Sequence, residues 1–142
     1  MARRKLVYVE RKSAGHRGPA WIGYALLSKT GVTVYINGRA LQRARGGGIR
    51  GNHFCVETGD EYWVSGPKQG GGDRHWAGGG VVSVEARALP EYLELRGIAR
   101  LPSGYEVVSD FADTDPAAFY DLKNRPMSDS LLARYLGREG FA

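Results

Sequence analysis

The chain predicts a mainly β fold: a small antiparallel, strongly bent barrel or sandwich of SH3-like size, with one short helix and a partly helical C-terminal extension. Three observations carry that reading. Short runs rich in β-branched and aromatic residues fill the first two-thirds of the sequence, and clusters of glycine or Asn-Gly separate them. The run Val32-Thr-Val-Tyr-Ile36 alternates with period two, with Val32, Val34 and Ile36 on one face and Thr33 and Tyr35 on the other. About six short strands at this spacing suit a barrel or a sandwich.

Taken in order, Leu6–Glu10 reads as a strand. Ala20–Leu27 is an aromatic and apolar strand, bounded by Gly15–Pro19 and by Lys29-Thr-Gly31. Ser28–Gly31 has the length of a tight hairpin loop leading into Val32–Ile36, whose three branched residues are expected to point into a closed core. Asn37-Gly38 is a second turn, because both residues tolerate positive φ. A basic, glycine-rich loop follows. Asn52–Glu57 and Glu61–Ser65 are two more strands, joined by Thr58-Gly59-Asp60. Residues 66–80 form a long glycine-rich loop, expected to be mobile and to lie at one end of the barrel, before the strand Val81–Val84. Leu89–Leu95, with Pro90 in its first turn and Gly97 beyond its end, is a short helix.

From about Ile98 the character changes. A turn at Leu101–Tyr105 precedes a strand at Glu106–Ser109, and Asp115 caps a helix with Pro116 at its first position. Arg125-Pro126 ends that helix. Ser128 or Asp129 caps a last one over Ser130–Leu136, closed by Gly137. The expected organisation is therefore a barrel domain over residues 1–98 and a helical or irregular extension over 99–142 packing on it.

Hydrophobic residues make up 42% of the 142 and charged residues 25%, enough apolar material for a core. No apolar run approaches the roughly 18 residues of a membrane span. The opening MARRKLVYVERK has basic residues but no apolar stretch of about 7–15 residues behind them, so it does not read as a signal peptide. The single cysteine, Cys55, excludes an internal disulfide and sits in an apolar run, where a thiol packs as a small hydrophobe. A cytoplasmic protein with no membrane partner and no cofactor is expected.

The formal net charge of +5 hides an asymmetry. Residues 1–50 hold eleven Lys/Arg against the single acid Glu10, a balance of +10; the remaining 92 hold nine against fourteen, a balance of −5. One reading is a positive surface that attracts phosphates. The other is that the two halves neutralise each other across the fold.

The segment RALQRARGGGIRGNHF, residues 39–54, contains a G-x-G-x-x-G at Gly46, Gly48 and Gly51. A phosphate cradle of that kind must leave a strand and enter a helix, whose N-terminus supplies the donors. Here a strand pattern follows and no GK[ST] is present, so the match is accidental. What remains is a loop carrying Arg39, Arg43, Arg45 and Arg50, whose guanidiniums offer bidentate forks to phosphate.

The second glycine loop places Asp73, Arg74, His75 and Trp76 in succession. Trp76 is either a stacking surface for a flat ligand or a plug for one barrel end, with Arg74 paired to Asp60 or Glu61. Three histidines at irregular spacing, with no C-x-x-C or H-x-x-x-H, carry no metal signature. No G-x-S-x-G is present either.

The combination Trp21-Ile-Gly23, Thr33-Val-Tyr35, Asn37-Gly-Arg39, Gly51-Asn-His-Phe54, Val56-Glu-Thr-Gly59, Glu61–Gly66 and Asp73-Arg-His-Trp76 resembles a group of short bacterial proteins of unknown function. Some of these carry the name 1-deoxy-D-xylulose-5-phosphate synthase. That synthase is a large thiamine-diphosphate enzyme with a G-D-G metal–diphosphate motif, and this chain contains no G-D-G. The resemblance therefore implies a compact β domain over about half the chain and assigns no chemistry.

Three functions remain in view. The first is a non-enzymatic module binding RNA, DNA or another polyanion through Arg39, Arg43, Arg45, Arg50 and Lys68, with Trp76, Trp63 and Tyr62 as stacking groups. The second is a small hydrolase or phosphodiesterase using His53, Glu57, Arg74 and His75, which requires those side chains to converge. The third is an assembly domain whose C-terminal extension meets a protein partner.

Overall fold

Strand β1 (Arg3–Arg11) and strand β2 (Ala20–Leu27) pair antiparallel along almost their whole length, from Arg3 opposite Leu27 to Glu10 opposite Ala20. The structure, a computed structural model, describes residues 3–12, 19–44, 51–68 and 81–120. Four further strands follow in a meander: β3 (Thr33–Ile36), β4 (Arg39–Arg43), β5 (His53–Cys55) and β6 (Glu61–Ser65). Each pairs antiparallel with the next, and β6 returns to β1, with Tyr8 opposite Ser65 and Arg11 opposite Tyr62. The result is a closed six-stranded antiparallel barrel.

Local chemistry fixes the turns. Asn37 (φ 50°) and Gly38 (φ 78°) both adopt left-handed backbone, as a two-residue hairpin loop twisted with its strands requires. At the β2–β3 connection the Thr33 amide donates to Ser28 Oγ, and the Ser28 amide donates to the Thr33 carbonyl.

Alternation then sorts the side chains. Val7, Val9, Val34, Ile36, Leu41 and Val64 fill the barrel interior together with Phe111. A second apolar layer lies outside the wall, where helix α1 (Leu89–Arg96) covers Leu6, Tyr8, Ile22, Val82 and Val84 with Tyr92. The helix starts with Pro90 in its first turn and stops at Gly97 (φ 67°), where the amides of Gly97 and Ile98 donate to the carbonyls of Glu94 and Leu93. No helix among the described residues is long and apolar enough to cross a membrane.

The wall has a gap. Toward β3, strand β2 uses only Leu26 and Leu27, and its first three residues instead pair parallel with β7 (Val82–Glu85). A last strand, β8 (Tyr105–Val108), continues outward parallel to β7. Between the two pairings, Glu85 bridges to β2 and the Phe111 ring packs on Gly23. A Cβ on Gly23 would collide with both groups.

Three expectations need correction. Arg39–Arg43 is a strand rather than part of a loop, because Leu41 fills the barrel while Ala40 is covered from outside by the cluster holding Tyr35, Val56 and Phe119. The strand after the second glycine loop is parallel and lies outside the barrel, because the closed meander leaves it only the free edge of β2. Finally, β3 is buried on both faces. Val34 and Ile36 point inward as expected, but Val32 precedes the strand and is half-buried, and Phe119 covers Tyr35 at 6.2 Å between ring centroids. Asp115 caps as anticipated, accepting from the Ala117 amide at 3.0 Å, above a 3-10 turn at Pro116–Phe119. The expected helix over 130–136 and loop residues 69–80 lie outside the described residues.

Candidate functional site

Because neighbouring strands of the barrel alternate in direction, distant parts of the chain meet at each end. One end collects the start of β1, the β2–β3 connection, the end of β4, the start of β5 and the end of β6. Lys5, Lys29, Arg43 and Lys68 stand exposed there, as does Arg4 beside Lys5 on β1. The stretches 3–7, 26–34, 42–44, 51–53 and 64–68 that build this end contain no Asp or Glu. The opposite end carries Glu10, Glu57, Asp60 and Glu61, two of which pair with described cations. Lys12 Nζ lies 3.0 Å from Glu10 and Arg11 lies 3.3 Å from Asp60. Among the described residues, the charges of the six strands are thus divided unequally between the two ends.

The basic end is held rigid by Gly51-Asn52-His53. Gly51 lies so close to the Tyr62 backbone that no side chain fits between them. The Asn52 amide imitates a strand partner: Oδ1 accepts from the Val64 amide and Nδ2 donates to the Val64 carbonyl, both at 2.8 Å. That fixes the amide's orientation, so His53 Nδ1, 2.9 Å from Oδ1, is the donor. Burial, and then the positive charge of Arg43, push the His53 pKa down to about 4. The imidazole is thus neutral at pH 7, and the motif is a structural brace beneath Arg43.

The sequence-predicted residues separate. Arg39 and Arg43 sit at opposite ends of β4. The Arg39 guanidinium carbon lies 5.0 Å from the Trp21 ring centroid, and Nη1 donates to the Asn37 carbonyl at 3.0 Å. Arg43 stands in the basic end, with Lys68 just past β6. Arg45, Arg50, Arg74, His75 and Trp76 lie outside the described residues.

His53 opens β5 and is buried, whereas Glu57 follows that strand and is exposed. Trp63 is exposed on the outer face of β6, whereas Tyr62 is buried inside, its hydroxyl pKa raised by burial. Cys55 is buried in the barrel core. Asp60, considered above as a partner for Arg74, pairs with Arg11.

Two features were missed by the sequence reading. Lys5 and Lys29 were counted in the charge excess but not placed beside Arg43, since only the strand order brings them together. The second is a cavity of about 230 Å³ at the gap in the wall, with Arg4, Tyr24, Leu26, Asn37, Asp113 and Thr114 in its lining. The Arg4 guanidinium carbon lies 3.9 Å from the centroid of the Tyr24 ring, and Thr114 Oγ1 accepts from the Gly38 amide at 2.6 Å. Comparison with known proteins returned no match among family models, curated proteins or solved structures.

Proposed function

We propose that this barrel is a binding module for nucleic acid or another polyanion, and that it meets its partner with the end bearing Lys5, Lys29, Arg43 and Lys68. The supporting observation is the segregation of charge. Lys5, Lys29, Arg43 and Lys68 are exposed on an end whose described stretches contain no carboxylate, while Glu10 and Asp60 at the other end pair with Lys12 and Arg11. A field of one sign concentrated on one face raises the local concentration of an oppositely charged polymer and releases its counterions on contact.

Lysine and arginine contacts of this kind position a phosphate backbone without reading sequence. The module therefore binds with weak sequence preference. The test is a titration of a fluorescent oligonucleotide, and in parallel of heparin, at several salt concentrations. Four neutralised phosphates give log K against log salt a slope of roughly −3 to −4. Replacing Lys5, Lys29 and Arg43 together by alanine removes about 0.7–0.9 of slope per contact. No binding at low salt, or an unchanged slope in the triple variant, overturns the reading.

A further inference from the structure

We infer that the cavity beside Arg4 receives one unpaired base of a single strand, so that the polyanion is single-stranded nucleic acid with a base bearing an exocyclic amine. This rests on the function proposed above and narrows it. Arg4 precedes Lys5 on β1 and is exposed, so the cavity adjoins the basic end.

The size suits a base. The cavity of about 230 Å³ has room for a flat ring system. The walls suit it as well. The Arg4 guanidinium carbon lies 3.9 Å from the Tyr24 ring centroid, and an arginine over an aromatic ring is the kind of group on which splayed bases stack. Leu26 and Ile36 supply an apolar wall, and Asn37, Arg87, Asp113 and Thr114 add polar groups to the lining.

Asp113 sets the preference. Its carboxylate is 98% exposed, and its one described ion pair, to Arg87, is long at 3.9 Å. An ionised carboxylate only accepts hydrogen bonds, so it pairs with the amine of cytosine or adenine and repels the carbonyl at the same position of thymine or uracil.

The experiment compares short oligomers of deoxycytidine and deoxythymidine with a duplex of equal length, using the full chain and two variants. Ala112→Trp fills the cavity from an exposed position in its lining, and Asp113→Asn removes the acceptor-only group. Neither touches the barrel core or the four cations.

The expected result is that both single strands bind about five- to tenfold more tightly than the duplex, the lower part of the range for one stacked base, and that the deoxycytidine strand binds about fivefold more tightly than the deoxythymidine strand, the low end for discrimination by a base-edge hydrogen bond. Ala112→Trp brings all three ligands to one level with the salt slope retained. Asp113→Asn abolishes the preference for deoxycytidine. Equal binding of the three ligands by wild type, or a preference that survives Ala112→Trp, overturns the inference while the basic-end reading stands. No binding of any ligand at low salt removes both.

Discussion

Tyr24 donates its backbone N–H to Glu85 Oε2 at 2.6 Å, at the point where β2 has left β7 and has not yet joined β3. A carboxylate thus stands where a strand carbonyl would. The same side chain accepts from the Phe111 amide at 2.9 Å and pairs with Arg87 Nε at 2.8 Å. Glu85 is fully buried, so three partners offset the cost of placing its charge inside the protein.

Replacing Glu85 by alanine leaves the Tyr24 and Phe111 amides without acceptors and Arg87 without its nearest anion. The expected loss is about 2–4 kcal/mol, the scale of two backbone donors left without partners. Urea denaturation of wild type and variant measures it. A loss below about 1 kcal/mol is the value expected of an ordinary surface position and contradicts this role.

Gly51 tests whether the glycine pattern at residues 46–51 is a phosphate cradle or part of a strand brace. An added Cβ meets the carbonyl and amide of Tyr62, which are backbone atoms held in the β5–β6 ladder and unable to swing aside. Gly51→Ala is expected to cost about 2–3 kcal/mol, at the upper end for overpacking. Thermal unfolding reads the change, and an unshifted midpoint shows that the chain there has room.

His53 supplies a pH dependence with a definite sign. Its folded pKa of about 4 lies below the unfolded value near 6.5, so the folded state favours the neutral ring. Stability from this group is complete above about pH 6.5. It falls as pH drops toward 4, because the unfolded chain takes up a proton that the folded chain refuses. The full effect is on the order of 3 kcal/mol. His53→Gln keeps a donor for Asn52 and removes the titration. The advantage of wild type over this variant is therefore expected at pH 7 and to shrink by pH 4. A difference that is constant across that window contradicts the burial argument.

How much of this was legible in sequence depends on the range of the interactions. Ala20–Leu27, the Asn37-Gly38 turn and the helix with Pro90 and Gly97 were readable because each is set by residues within a few positions of one another. Strand β4 was not. Ala40 and Leu41 are both buried on opposite faces, so RALQR shows no alternation, and its flanking arginines look like loop residues. The parallel pairing of β7 was hidden because its partner is some sixty residues away, with nothing local to mark it. The charge excess could be counted, but Lys5, Lys29 and Arg43 become neighbours only through the strand order.

Arg39 and Arg43 show that limit most sharply and yield the last prediction. In sequence they belong to one basic cluster; in the barrel they stand at opposite ends of a single strand. Arg43 is exposed among Lys5 and Lys29 with no acid in the stretches around it, so its contact with a polyanion is a counterion-releasing one. Arg43→Ala is expected to lower the salt slope by about 0.7–0.9 with little change in stability, since exposed charges contribute little to folding. Arg39 lies over Trp21 and donates to the Asn37 carbonyl, and it therefore serves the fold. Arg39→Ala is expected to leave the slope unchanged and to cost about 1 kcal/mol, the scale of a cation–π contact with a half-buried indole. Measuring slope and unfolding midpoint for both variants separates the two roles. Equal loss of slope from both substitutions returns the two arginines to a single binding surface and removes the division of charge between the two ends on which the proposed function depends.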